Sequence, residues 1–281
     1  MLGGALYDRR VDDRDGEGTT DPFARHAADV REWPVAGDPR MVKESYRRLG
    51  TYLDDRYGGG EDDPPVLSWP ETAAAVTAAV PAGAERILDA GCGPNPAASL
   101  RLARPGRTII TLDIGLGTVA LAVAGGRRAG ATFCGVVADV ELLPFRPGGF
   151  DAVVCDDTIE HVPDPAVAVA ELAKSLRPGG VAVIATPNRQ RLSVLTQRAG
   201  NRMRGRHPPA SSYYAAGSHL REYTPRELGQ LLGAVFTVER FVPVGSSLTS
   251  PASRAAGWLV RRGPFRRFTK VVVAVAHPRG S

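Results

Sequence analysis

The sequence predicts an α/β fold, a mostly parallel β-sheet with helices on both faces. Three observations carry that expectation. From Arg86 onward, short apolar runs alternate with longer helix-patterned stretches, the order produced by strands joined through crossover helices. The apolar runs are continuous, as in strands buried on both faces. Several of them end in glycine or aspartate, at the carboxyl edge where sheets of this kind bind their ligands.

Taken in order, residues 1–38 are polar with scattered Gly and Pro and read as a mobile arm. Residues 39–83 read as an N-terminal helical lid. Met41, Val42, Tyr46, Leu49 and Leu53 recur at helical spacing, "GGGEDDPP" breaks the chain, and "WPETAAAVTAAV" gives a second helix. The strands follow: "RILDAGCG", "RTIITLDIG" ending on Asp113, "ATFCGVVAD" ending on Asp139, "FDAVVCDD" and "VAVIATPN". Between them, "TVALAVAGGRRAG" and "PAVAVAELAKSLRPGG" read as helices, the second stopped by its glycines. Thr224-Pro225 with Glu227 has the form of a capping box opening a further helix. "TVERFVPV" and "FTKVVVAVAH" supply the last two strands.

With 281 residues and 43% hydrophobic content, the chain can bury one sizeable core. No apolar run reaches the roughly 18 to 20 residues that cross a bilayer, and the first residues lack a signal-peptide core, so a cytoplasmic location is expected. Cys92, Cys134 and Cys155 form no CxxC pair and read as buried free thiols. Charge is unevenly spread. Residues 1–186 hold 19 Lys+Arg against 27 Asp+Glu (net −8), and residues 187–281 hold 16 against 3 (net +13). The basic third is either a solvated surface or an attractor for an acidic substrate, an anionic membrane or nucleic acid. Nucleic acid is disfavoured because no aromatic-basic strand motif appears.

The strand ends describe a nucleoside-shaped pocket. Gly91 and Gly93 let the backbone approach a ligand, Asp113 suits a ribose diol, and Asp139 suits an adenine amino group. A dinucleotide fits less well. The third glycine of a GxGxxG turn is replaced in the stretch Asn95-Pro96, and no tyrosine has a lysine four residues later. The motifs "ILDAGCG", "TLDIG", "ADVELLPF", "FDAVVCDDTIEHVPDP" and "LRPGGVAVIATPN" resemble those of the class I S-adenosylmethionine-dependent methyltransferases. The resemblance implies a Rossmann-like seven-stranded, mostly parallel sheet with an antiparallel last strand. It places the catalytic domain at residues 84–281. It also implies S-adenosyl-L-methionine as cofactor and S-adenosyl-L-homocysteine as product, with Asp89, Gly91, Cys92, Gly93, Asp113, Ile114, Asp139, Val140 and Asp156 around them.

The stretch "DDTIEHVPDP" follows the fourth strand and opens toward the cofactor's methyl group. In a short helix starting near Asp157, Asp157, Glu160 and His161 would share one face. His161 is then a candidate general base. A divalent metal on Asp157, Glu160 and His161 is the alternative, resembling the ubiquinone-biosynthesis O-methyltransferases, whose Glu-x-x-Glu-His is here Asp157-x-x-Glu160-His161. A third reading is a purely structural turn. Insertions at about 188–223 and 245–267 are long enough to be substrate lids. Tyr213, Tyr214, His219 and Tyr223 in the first, with Tyr46 on the N-terminal helix, are candidate substrate contacts. In the second, Trp258, Leu259, Val260, Phe265 and Phe268 alternate with arginines, as in an interfacial anchor or a flap over the sheet edge. The expected activity is methylation of a hydroxyl on a small metabolite. The alternatives are a membrane isoprenoid or glycolipid acceptor, an RNA acceptor, and a non-catalytic cofactor-binding protein.

Overall fold

A computed structural model describes residues 39–57, 70–191, 194–195, 202–203, 219–245 and 268–280. The expectations for the arm at 1–38, for Tyr213 and Tyr214, and for the aromatic-basic insertion up to Arg267 lie outside the described residues.

The chain runs α1 (Pro39–Tyr57), α2 (Pro70–Ala79), β1 (Arg86–Ala90), α3 (Ala97–Leu102), β2 (Thr108–Asp113), α4 (Leu116–Arg128) and β3 (Thr132–Val137). It continues through β4 (Phe150–Asp156), α5 (Pro165–Ser175), β5 (Leu176–Pro187), α6 (Pro225–Leu232), β6 (Phe236–Val244) and β7 (Val271–Pro278). The strands form one seven-stranded sheet ordered β3-β2-β1-β4-β5-β7-β6. β1 to β5 pair in parallel, and β7 alone runs against its neighbours, β5 and β6. This is the expected Rossmann-like arrangement. Its order reverses between β1 and β4, the position where such sheets open a ligand crevice.

Alternation along each strand sorts the core into two layers. Leu88, Val153, Ile184 and Ala274 face α5 and α6, whereas Ile87, Val154, Val183 and Val273 face α2 and α3. Of the two helices grouped as a lid, α2 is therefore a layer helix, with Ala73 and Val76 fully buried against the sheet. α1 sits further out, packing Leu49 and Leu53 on Leu121 of α4.

Four features differ from the sequence reading. α3 was not anticipated, being short and headed by Pro96 with no side-chain cap. β3 stops at Val137, so Asp139 lies on the loop beyond it. α5 ends at Ser175, before its glycines, because Leu176 is already extended and Arg177 pairs with Asp151 at the entry to β5. Cys134 is exposed, its strand lying at the sheet edge, whereas Cys92 and Cys155 are buried as expected.

Candidate active site

The glycine turn after β1 is built by close approach. Gly91 has φ +78°, and a Cβ there would stand 2.2 Å from Thr158 Oγ1. Only glycine allows both the left-handed backbone and that contact. The Gly91 and Cys92 amides donate to the Leu112 carbonyl at 2.7 and 3.0 Å, fixing the turn on the end of β2. Burial pushes the Cys92 thiol well above its ordinary range, so it stays protonated.

The acids are held individually. Asp89, 3% exposed, accepts from Ser99 of α3 at 2.5 Å, and burial raises it to about 7. Asp113 accepts from the Gly115 amide at 3.0 Å and the Gly93 amide at 3.3 Å, and burial raises it too. Asp139 accepts from the Glu141 amide at 3.0 Å and from Lys43 of α1 at 2.5 Å. Ile114 is half-buried beside Asp113. Val140 packs in the core.

"DDTIEHVPDP" is a turn and not the start of a helix. Asp156 ends β4, and Asp157 takes φ +48°, a left-handed conformation that costs a non-glycine residue on the order of 1–2 kcal/mol. The chain is held there by the Asp157 amide on the Ala185 carbonyl at 3.1 Å and by the His161 amide on the Thr158 carbonyl at 2.9 Å. The one-face argument for Asp157, Glu160 and His161 fails accordingly. The donors that converge, all within 4.8 Å of one another, are Glu160, His161 and His219.

Glu160 is fully buried. One oxygen accepts from Thr186 at 2.9 Å, and the other, Oε1, has no hydrogen-bond partner and lies 3.8 Å from His161 Nε2. Burial, and then the neighbouring Asp157 charge, raise Glu160 well above the carboxylate range. Burial raises Asp157 to about 7, and its buried Oδ1 is also without a hydrogen-bond partner. The Tyr46 hydroxyl lies 2.8 Å from His161 Nδ1, and the rings meet edge to face. Burial holds the Tyr46 phenol well above its ordinary range, so it is the neutral hydroxyl that faces the ring.

The segment ending in Tyr223 clamps this turn. The Leu220 and Arg221 amides donate to the Glu160 carbonyl, and the Arg221 guanidinium reaches the Val162 and Pro163 carbonyls, each at 2.9 Å. His219 stacks its ring edge on His161 with centroids 4.6 Å apart, and Glu222 lies 3.4 Å from its Nδ1. Glu222 is paired at 3.0 Å with both terminal nitrogens of buried Arg191. His219, a candidate substrate contact from the sequence, thus lies beside His161. Tyr223 is a core residue, packed among Cys155, Leu172 and Leu228. Ser99, Thr158, Thr186, Arg191 and Lys43 were missed by the sequence reading. Ser, Thr, Arg and Lys carry no signature until the fold places them beside an acid.

Residues 88–184 match the family model described as a methyltransferase domain. An O-methyltransferase of ubiquinone biosynthesis from Xylella fastidiosa (strain 9a5c) is 37% identical over 111 residues, covering 39% of this chain and 45% of that protein. The same-named protein of Thiobacillus denitrificans (strain ATCC 25259 / T1) is 36% identical over 146 residues, covering 50% and 58%. The chain thus spans about half the length of these curated relatives. Among solved structures, the cyclase SpnF superposes with a TM-score of 0.59 at 20% identity, over 88% of this chain and 99% of that one, a likeness of fold.

Proposed function

We propose that this protein, which resembles the class I S-adenosylmethionine-dependent methyltransferases and carries a methyltransferase domain over residues 88–184, transfers a methyl group to a hydroxyl of a small-molecule acceptor. One observation supports this most. Asp89, Asp113, Asp157 and Glu160 gather at the carboxyl edge of the sheet and are all raised by burial. Desolvated carboxylates of this kind are stabilised by a ligand cation. S-adenosyl-L-methionine brings two, an ammonium and a sulfonium, and the orphaned oxygens of Asp157 and Glu160 fit that need.

When bound, the cofactor supplies an electrophilic methyl group. The chain's own residues align the acceptor and take its proton. His161 Nε2, the ring nitrogen other than the one that meets Tyr46, receives the acceptor proton. As the imidazolium forms, the Glu160 carboxylate 3.8 Å away, disfavoured by burial when alone, gains a countercharge. His161→Ala would abolish turnover on a hydroxyl acceptor while S-adenosyl-L-homocysteine binding persists, and unchanged turnover would remove the base assignment.

A divalent ion is a second reading of the same corner, favoured by the convergence of Glu160, His161 and His219. These three donors suit Mn²⁺ or Zn²⁺, and such an ion would lower the acceptor hydroxyl's pKa. Activity surviving exhaustive chelation supports the histidine base, and activity restored only by added metal supports the ion. The acceptor class is tested with methyl-labelled cofactor and a cell extract. Label in polar small molecules supports the proposal. Label in lipid or RNA transfers it to the membrane or RNA acceptor, with the basic region after residue 187 as the binding surface.

A further inference from the structure

α1 presents three consecutive turns to the candidate site. Lys43 reaches Asp139 at 2.5 Å and also pairs with Glu141. Tyr46 reaches His161. Gly50 sits against the turn that follows Asp113, where a Cβ on Gly50 would lie 3.0 Å from Gly115 Cα and one on Gly117 would lie 2.2 Å from the Gly50 carbonyl oxygen. The helix is therefore seated by backbone contact at one end, and its two polar side chains meet the two ends of the site.

We infer that Lys43 is a positioning residue for adenine recognition. It fixes the Asp139 carboxylate so that the oxygen set discriminates a 6-amino purine from a 6-oxo purine. The inference rests on the cofactor reading above. A carboxylate oxygen accepts about two hydrogen bonds. Asp139 Oδ1 takes the Glu141 amide and Oδ2 takes Lys43, which leaves one acceptor direction on each. The Asp139 side chain keeps 26% of its exposure, so those directions open to a ligand. An amino group can donate to them, and a 6-oxo group meets only lone pairs.

Lys43 is itself held. Its second partner, Glu141, is anchored through the Asp164 amide at 2.6 Å. Asp164 is the N-cap of α5, accepting from the Ala166 and Val167 amides. The chain of contacts runs from the start of α5 through Glu141 and Lys43 to Asp139. Without Lys43, Asp139 keeps the Glu141 amide but is free to turn about it, and α1 loses its link to the adenine loop.

The test is binding of S-adenosyl-L-homocysteine and of S-inosyl-L-homocysteine, its 6-oxo counterpart, by titration calorimetry to the full chain. Wild type is expected to prefer the amino form by at least tenfold. Lys43→Met is expected to weaken the amino form roughly three- to tenfold and leave the oxo form within twofold, cutting the preference by about that factor. Lys43→Arg restores much of it. A merely structural Lys43 would weaken both ligands alike, and that result overturns the inference. So does an unchanged preference, or a tighter amino form in Lys43→Met, which would make Lys43 a competitor for Asp139. Failure of wild type to bind either ligand overturns the cofactor reading itself. Thermal unfolding of each variant separates loss of fold from loss of recognition.

Discussion

The two halves of the proposed site are built differently. The half proposed to hold the cofactor is local. Asp89, Gly91, Gly93, Asp113 and Asp139 sit at the ends of adjacent strands or just beyond, and backbone amides tie down Asp113 and Asp139. The half proposed to take the acceptor is assembled at long range. His161 meets Tyr46 from 115 positions earlier and His219 from within the first insertion. A half built from strand ends inherits its geometry from the sheet. A half built from distant segments depends on whatever holds those segments in place.

The largest expected effect falls on that dependence. Arg191 and Glu222 form a bidentate pair whose side chains are 4% and 1% exposed, and the pair carries the segment that presents His219. Arg191→Leu leaves the buried Glu222 carboxylate without its cation and with only His219 beside it, and breaking such a buried pair costs roughly 3–5 kcal/mol. The double variant Arg191→Leu/Glu222→Leu removes that orphan and should recover most of the loss in thermal unfolding. S-adenosyl-L-homocysteine affinity of the double variant should stay near wild type if the two halves are separable. A large loss of affinity would show that they are one unit.

The same contrast explains what the sequence disclosed. Strands β1, β2 and β4 and the acids at or near their ends were legible because burial on both faces and a ligand edge each leave a compositional mark within a few residues. The capping box at Thr224 was legible for the same reason, and it forms, with Thr224 accepting from the Glu227 amide at 3.2 Å. The turn at Asp157 was not. A left-handed aspartate is fixed by its hydrogen bond to β5, so tertiary contact overrode the local helical spacing. Tyr223 looked like a pocket residue because its ring is amphipathic, and the core took it. The Lys43, Ser99 and Thr186 contacts join residues 96, 10 and 26 positions from their partners, beyond any spacing rule.

A second prediction addresses the cofactor half through pH. Asp89 and Asp157 are each raised to about 7 by burial. The empty folded state therefore holds protons that the unfolded chain has released, and these groups make stability fall as pH rises from about 4 to 7. A bound cation favours the ionised forms, so affinity should rise with pH up to about 7 and then level off. The slope approaches one decade per pH unit for each group involved. Titrating S-adenosyl-L-homocysteine between pH 5.5 and 8, in buffers of different ionisation enthalpy, reads both the slope and the proton release. Asp89→Asn should flatten part of the slope. A flat wild-type profile would mean that these carboxylates do not meet the ligand.

The smallest effect expected is at the join between the halves. Tyr46→Phe removes the hydroxyl 2.8 Å from His161 Nδ1 and keeps the ring that packs on it. Losing one such hydrogen bond costs about 1 kcal/mol, too little to unfold the chain, and the edge-to-face contact survives. The chemical consequence is more specific. The neutral phenol biases which imidazole nitrogen carries the proton, so its loss should move the His161 ring signals in a nitrogen-detected NMR spectrum. S-adenosyl-L-homocysteine affinity should remain within twofold if Tyr46 serves the proposed acceptor side. If affinity falls tenfold while the His161 signals stay in place, Tyr46 belongs to the cofactor half, and α1 is a wall of the cofactor pocket along its whole face.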